Sequence, residues 1–121
     1  MKKINLPKAA ASIDALWSPL VVGRVGDTFV KVARIQGEFV WHTHEAEDEM
    51  FVILKGRLCI QFRESEVWLE PGDSLLIPRG TEHLPVAPEE VHIMLIEPVS
   101  TVNTGQVEDE RTQKEYIFYR D

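Results

Sequence analysis

Apolar and polar positions alternate along most of this chain with the two-residue period of half-buried strands. Leu20 to Val25 is apolar and β-branched, Gly26-Asp27 breaks the run, and Thr28 to Ile35 resumes it with Val30 and Val32 on one face. After Gln36-Gly37, Phe39 to His44 and Met50 to Leu54 are predicted strands. Leu58, Ile60 and Phe62 alternate with Cys59, Gln61 and Arg63, and after the break at Glu64-Ser65 the pattern returns over Val67 to Leu69. Pro71-Gly72-Asp73 and Pro78-Arg79-Gly80 are turns around a short strand, Ser74 to Ile77. His83 to Ala87 and Val91 to Ile96 close the regular part. Short strands with breaks at intervals of about 8–12 residues predict an all-β sandwich or barrel. The exception is Pro7 to Trp17, whose alanines and small apolar face (Ile13, Leu16, Trp17) predict one short helix ended by Ser18-Pro19.

Two segments add to this picture. In Met50 to Leu54 the alternation is apolar on both sides: Glu49, Phe51 and Ile53 share one face, and Met50, Val52 and Leu54 share the other. A strand apolar on both faces is covered on both. The interior covers one; a second subunit or the N-terminal segment must cover the other, and a homodimer is the expectation. The tail from residue 98 to 121 is polar and turn-rich until Tyr116-Ile117-Phe118-Tyr119, which reads as the docking end of an ordered arm.

Composition narrows the class. The 121 residues suit a single domain, with a barrel core over about 20–97, and 44% are hydrophobic, enough for a core. A net charge of −7 argues against nucleic-acid or anionic-membrane partners. The N-terminal segment lacks the continuous apolar run of a secretory signal, so a cytoplasmic location is expected. The single cysteine, Cys59, excludes an intramolecular disulfide and reads as a small hydrophobe in a strand.

The candidate chemistry lies in WHTHEAEDEMFVILKG, Trp41 to Gly56. His42 and His44 point to the same side of an extended segment, with acidic residues close behind. Neutral imidazole suits zinc, iron and nickel, and a carboxylate extends the range to manganese. Glu45, Glu47 and Asp48 read as a solvated acidic loop, His92 as an ordinary strand residue, and Arg79 as a turn residue near the mouth of any site.

Two motifs carry a resemblance. His42-x-His44-x4-Glu49-x6-Gly56 is followed by Gly72-x5-Pro78-x-Gly80-x2-His83. They resemble the two motifs of the cupin superfamily, G-x5-HxH-x3–4-E-x6-G and G-x5-PxG-x2-H-x3-N. The chain departs from them at Gly37, one residue out of step before His42, and at Ala87, where the motif has asparagine. The resemblance implies a cupin double-stranded β-helix, a jelly-roll barrel, with a short N-terminal helix. It implies one divalent transition metal (zinc, manganese, iron or nickel) held by His42, His44, Glu49 and His83. The Val102-Asn103-Thr104-Gly105 and Glu110-Arg111-Thr112 tail further resembles small cupins labelled mannose-6-phosphate isomerase-like.

A fold does not fix a function. The resemblance implies a metal-dependent isomerase or epimerase acting on a small carbohydrate or organic acid. The alternatives are an iron-dependent dioxygenase and a non-catalytic metal- or ligand-binding module. An isomerase needs a base other than Glu49, and a phosphosugar would need converging cations. Lys31, Arg34 and Arg79 are the residues available for that.

Overall fold

The computed structural model describes residues 1–120. The helix α1 (Leu6–Ala11) leads into strands β1 (Leu20–Val25), β2 (Thr28–Glu38), β3 (Glu49–Lys55), β4 (Leu58–Phe62), β5 (Ser65–Leu69), β6 (Ser74–Ile77), β7 (Leu84–Pro98) and β8 (Ile117–Phe118). The all-β expectation holds, with the small N-terminal helix in place. The strands run in the order β5-β4-β7-β2-β1-β8, and β3 joins both β7 and β6. The arrangement is the roll that the resemblance implies, and its hydrogen-bonded sheet does not close into a ring.

β7 organises the fold. Its first residues pair with β4 (Cys59↔Val86), and its later ones lie between β2 and β3 (Val32↔Met94↔Val52). The sequence pattern breaks this stretch at Pro88-Glu89-Glu90, but the chain passes through as one strand because β2 pairs with both of its ends, while its other edge changes partner from β4 to β3. The inward residues of the three central strands build the core: Ala33 and Ile35 from β2, Phe51 and Ile53 from β3, Val91, Ile93 and Leu95 from β7. The β3 alternation is as expected, with Glu49, Phe51 and Ile53 buried and Met50, Val52 and Leu54 half-buried. α1 covers part of the outer face, where Ala9, Ala10 and Ile13 pack on Val32 with Leu54 beside them. Cys59 is buried in β4, as expected of a small hydrophobe.

Two predicted elements differ. The helix ends at Ala11, not Trp17. Asn5 caps it by accepting from the Lys8 N–H (3.0 Å), and the Ser12 hydroxyl donates back to the Ala9 carbonyl (2.8 Å). The sheet then takes the polar groups a longer helix would have used. The Arg34 guanidinium donates to the Ile13 and Asp14 carbonyls, and the Trp17 N–H donates to the Arg34 carbonyl (2.9 Å). The second difference is Phe39 to His44, an irregular segment rather than a strand. β2 instead runs on to Glu38 through a register shift between Ile35 and Gly37. His42 then forms an isolated bridge with His83.

The tail is an ordered arm through residue 120; its last residue, Asp121, lies outside the described residues. Ile117 and Phe118 pair in parallel with Leu20 and Val21, and the Tyr116 ring meets Phe29 edge-on at 4.7 Å. Gly105, at φ +62°, lies so close to the Thr43 carbonyl that a Cβ there would collide with it. The arm is therefore seated on the segment that carries His42 and His44. Among the described residues, no helix is long and apolar enough to cross a membrane.

Candidate metal centre

Three elements bring four side chains together. His42 and His44 come from the segment after β2, Glu49 opens β3, and His83 directly precedes β7. The bridge is a reciprocal pair of backbone hydrogen bonds, His42 N–H to the His83 carbonyl (3.1 Å) and His83 N–H to the His42 carbonyl (3.0 Å). The Gly80 N–H donates to the His44 carbonyl (2.8 Å), and Asp48 accepts from the Arg79 N–H (2.9 Å). Asp48 thus has a use that the acidic-loop reading lacked: it ties the two motif loops together.

One ligand-type atom from each of His42, His44, Glu49 and His83 lies within 4.8 Å of the others, and all four residues are buried. His42 Nδ1 meets the Val40 carbonyl at 2.8 Å and His83 Nδ1 meets the Thr81 carbonyl at 2.9 Å. With Nδ1–H donating to these carbonyls, each Nε2 lone pair is left for the site. Burial lowers the proton affinity of the imidazoles, to about 4 for His42 and about 3 for His44, with neighbouring histidines adding to it. His83 is lowered too, again by burial. All three rings are neutral at pH 7, the form that binds metal. Glu49 lies 3.6 Å from His44 Nε2 and 3.4 Å from His83 Nε2. With the rings uncharged, these contacts are not ion pairs.

The donor set fits a divalent transition ion. Both ring nitrogens of His44, Oε1 of Glu49 and Nε2 of His83 are buried without a hydrogen-bond partner among the described residues. A buried polar atom left unpaired costs about 1–3 kcal/mol, and one cation would satisfy a nitrogen or oxygen from each of these residues. Three imidazoles and one carboxylate are suitable for zinc, iron, manganese or nickel.

Two further residues border the centre. Lys31 and Glu97, 2% exposed each, pair at 2.9 Å on adjacent strands. Burial raises the proton affinity of Glu97 well above the ordinary carboxylate value, and neighbouring Glu49 raises it further, against the pull of Lys31. Burial raises Glu49 as well. Sequence reasoning left Glu97 out and considered Lys31 only as a phosphate contact. The available signal was position: Lys31 stands in register with the inward Phe29, Ala33 and Ile35, and Glu97 with Val91, Ile93 and Leu95. The remaining basic candidates lie elsewhere. Arg34 is held by Ile13, Asp14 and Glu90, and Arg79 is exposed. His92 contacts Glu90 at 2.7 Å, outside the centre.

A narrow cavity adjoins the centre at His42 and Glu49, with about 420 Å³ of free space including its mouth. His42, Glu49 and Glu97 line its polar end, and its walls are aromatic, aliphatic and proline side chains. Trp17 and Asn103 are its half-buried members and form the rim. Trp17 sits at φ +60°, a conformation that costs a residue with a Cβ about 1–2 kcal/mol. Its indole N–H donates to the Gln36 carbonyl (3.0 Å), and its ring stacks on Phe39 at 4.6 Å.

Comparison with known proteins agrees with this geometry. The Cupin_2 family, described as a cupin domain, matches residues 29–97. The chain is 39% identical over 83 residues to uncharacterized protein YdbB of Bacillus subtilis (strain 168), across 68% of this chain and 74% of that one. The crystal structure of a cupin-2 domain containing protein from Shewanella frigidimarina NCIMB 400 is 41% identical, with a TM-score of 0.76 over 78% of this chain and 93% of that one. Hydroquinone 1,2-dioxygenase from Sphingomonas sp. TTNP3, solved with 4-hydroxybenzoate bound, shares the fold alone: 16% identity and a TM-score of 0.67, over 78% of this chain and 72% of that one. The matched residues run from β2 to the end of β7 and include all four residues of the centre, so the chain belongs to the cupin family.

Proposed function

We propose that this protein is a metal-dependent enzyme that moves a proton on a small organic molecule, an isomerase or epimerase in reaction type. One observation carries the reading: among the described residues, Glu97 is the one titratable group in the cavity wall besides His42 and Glu49 of the metal set. A bound divalent ion would polarise a substrate carbonyl. A base must then take the proton from the adjacent carbon, and it cannot be the ligand Glu49. Glu97 meets that need from a fixed position, with Oε1 anchored by Lys31 and its carboxyl beside that of Glu49. A carboxylate with raised proton affinity is a better base near neutrality than an ordinary one.

The test is elemental analysis of untagged protein, then a screen of carbonyl compounds with that metal in deuterium oxide. Deuterium should enter the carbon beside the carbonyl, and Glu97→Gln should abolish this while the ion stays bound. Exchange that survives the substitution refutes the base assignment. The apolar cavity walls favour a second reading, the iron-dependent dioxygenase, which predicts oxygen consumption restored by iron alone. A bound ion without turnover of any kind favours the non-catalytic module.

A homodimer is proposed with it. Met50 and Val52 on the outer face of β3 are half-buried, and Leu76 on neighbouring β6 is 56% exposed. Sedimentation of the protein at micromolar concentration should give twice the chain mass; a monomer overturns this.

A further inference from the structure

We infer that the cavity beside the metal centre selects a small, mainly apolar molecule with a single oxygen function, and that carbohydrates and phosphosugars are not its substrates. The inference rests on the functional reading above and narrows its substrate class.

The argument is a count of hydrogen-bonding groups. A monosaccharide brings several hydroxyls, and each one buried without a partner loses its hydration with nothing to replace it. The cavity wall offers four polar side chains: His42, Glu49, Glu97 and Asn103. The first two belong to the metal set. Asn103 has both ends of its amide engaged, Nδ2 donating to the Arg111 carbonyl (2.9 Å) and Oδ1 accepting from the Gln113 N–H (2.8 Å). Glu97 has Oε1 held by Lys31 and its carboxyl in contact with Glu49, so among the described residues it offers at most Oε2. A sugar would therefore find at most one spare partner besides the ion. A phosphate would find no cation in the wall and two carboxyls facing it. Lys31 does not line the cavity, and its ammonium is held by Glu97.

The same walls suit an apolar body. Ala33, Ile35, Phe51, Ile93 and Leu95 are each at most 6% exposed and turn toward the cavity, and the Trp17–Phe39 stack closes its outer end. Each methylene buried there tightens binding through the hydrophobic effect. The closed part is narrow, which admits only a small body. The single oxygen has one destination, the polar end where His42, Glu49 and Glu97 meet.

The experiment is calorimetric titration of the purified protein, metal-loaded and metal-free, with cyclohexanone, 4-methylphenol, glucose and glucose 6-phosphate. The two apolar probes should bind the loaded protein at least about tenfold more tightly than either sugar, a gap of about 1.4 kcal/mol. Ala33→Leu, which fills the cavity, should weaken them about tenfold without changing metal content, the same 1.4 kcal/mol. Ile93→Phe provides the same test at a second wall position if Ala33→Leu fails to fold. Equal or tighter binding of a sugar overturns the inference, as does binding of no probe or apolar binding unaffected by wall substitution. If the protein holds no metal, the functional reading fails separately: the apolar probes should still bind the metal-free cavity, more weakly, and the sugars should not.

Discussion

Replacing His83 with alanine is expected to abolish binding of a divalent ion at the four-residue centre. His83 is fully buried, and its Nε2 has no hydrogen-bond partner among the described residues. Its ring is held by the Thr81 carbonyl in the tautomer that directs that lone pair at the centre. Loss of groups that merely orient metal ligands already lowers affinity about 10–100-fold, and removing a ligand itself should exceed a hundredfold. The stability difference follows by linkage: an ion at about a hundred times its dissociation constant stabilises the folded state by about 2.7 kcal/mol. Wild type should therefore melt at a lower temperature after chelation, and His83→Ala should melt at the same temperature with and without chelator. Arg79→Ala is the control. Its side chain is exposed, and its tie to Asp48 is made by the backbone N–H, which the substitution keeps. Elemental analysis of both variants decides the matter; a stoichiometric ion in His83→Ala would remove His83 from the site.

The legible part of this centre was the part whose geometry is local. His42 and His44 read as a pair because alternate residues of an extended segment share a face. That relation survives although Phe39 to His44 is not a strand, since both rings are buried while Trp41 and Thr43 are half-buried. Glu49 and His83 followed from spacing around glycine and proline turns. Lys31 and Glu97 were not legible, since their meeting depends on β2 and β7 being neighbours, and no local pattern states that. Within each strand the residue looked like one charge among apolar positions, equally consistent with a solvated edge. The helix end was missed for a related reason. Nothing local shows that Arg34, far along the chain, takes the carbonyls of Ile13 and Asp14. Trp17 and Asn103 reached the cavity rim by tertiary hydrogen bonds of the same kind.

The pair that escaped the sequence should have the larger effect on folding. Lys31→Met keeps most of the side-chain volume and removes the ammonium. Breaking one partner of a buried ion pair typically costs about 3–5 kcal/mol, because the other charge stays buried and uncompensated. Here the abandoned group is Glu97, with Glu49 beside it. Lys31 is what favours the ionised form of Glu97, so its loss should raise that carboxyl's proton affinity further. The sign of the pH dependence follows. A carboxyl whose folded-state affinity is raised contributes stability below its unfolded value of 4.5, and that contribution is lost as pH rises through the folded value. The deficit of Lys31→Met against wild type should therefore be smallest at acid pH, where the carboxyl is protonated in both chains, and should widen as pH rises through the raised folded value of Glu97. Lys31→Met combined with Glu97→Leu removes both charges and should recover most of the lost stability, since apolar replacement of a buried pair is often neutral or better. Denaturant unfolding across this pH range measures all three chains, and the double-mutant cycle isolates the pair from the packing of the lysine stem. A deficit that stays constant with pH and persists in the double variant would mean that Lys31 acts through its methylenes alone.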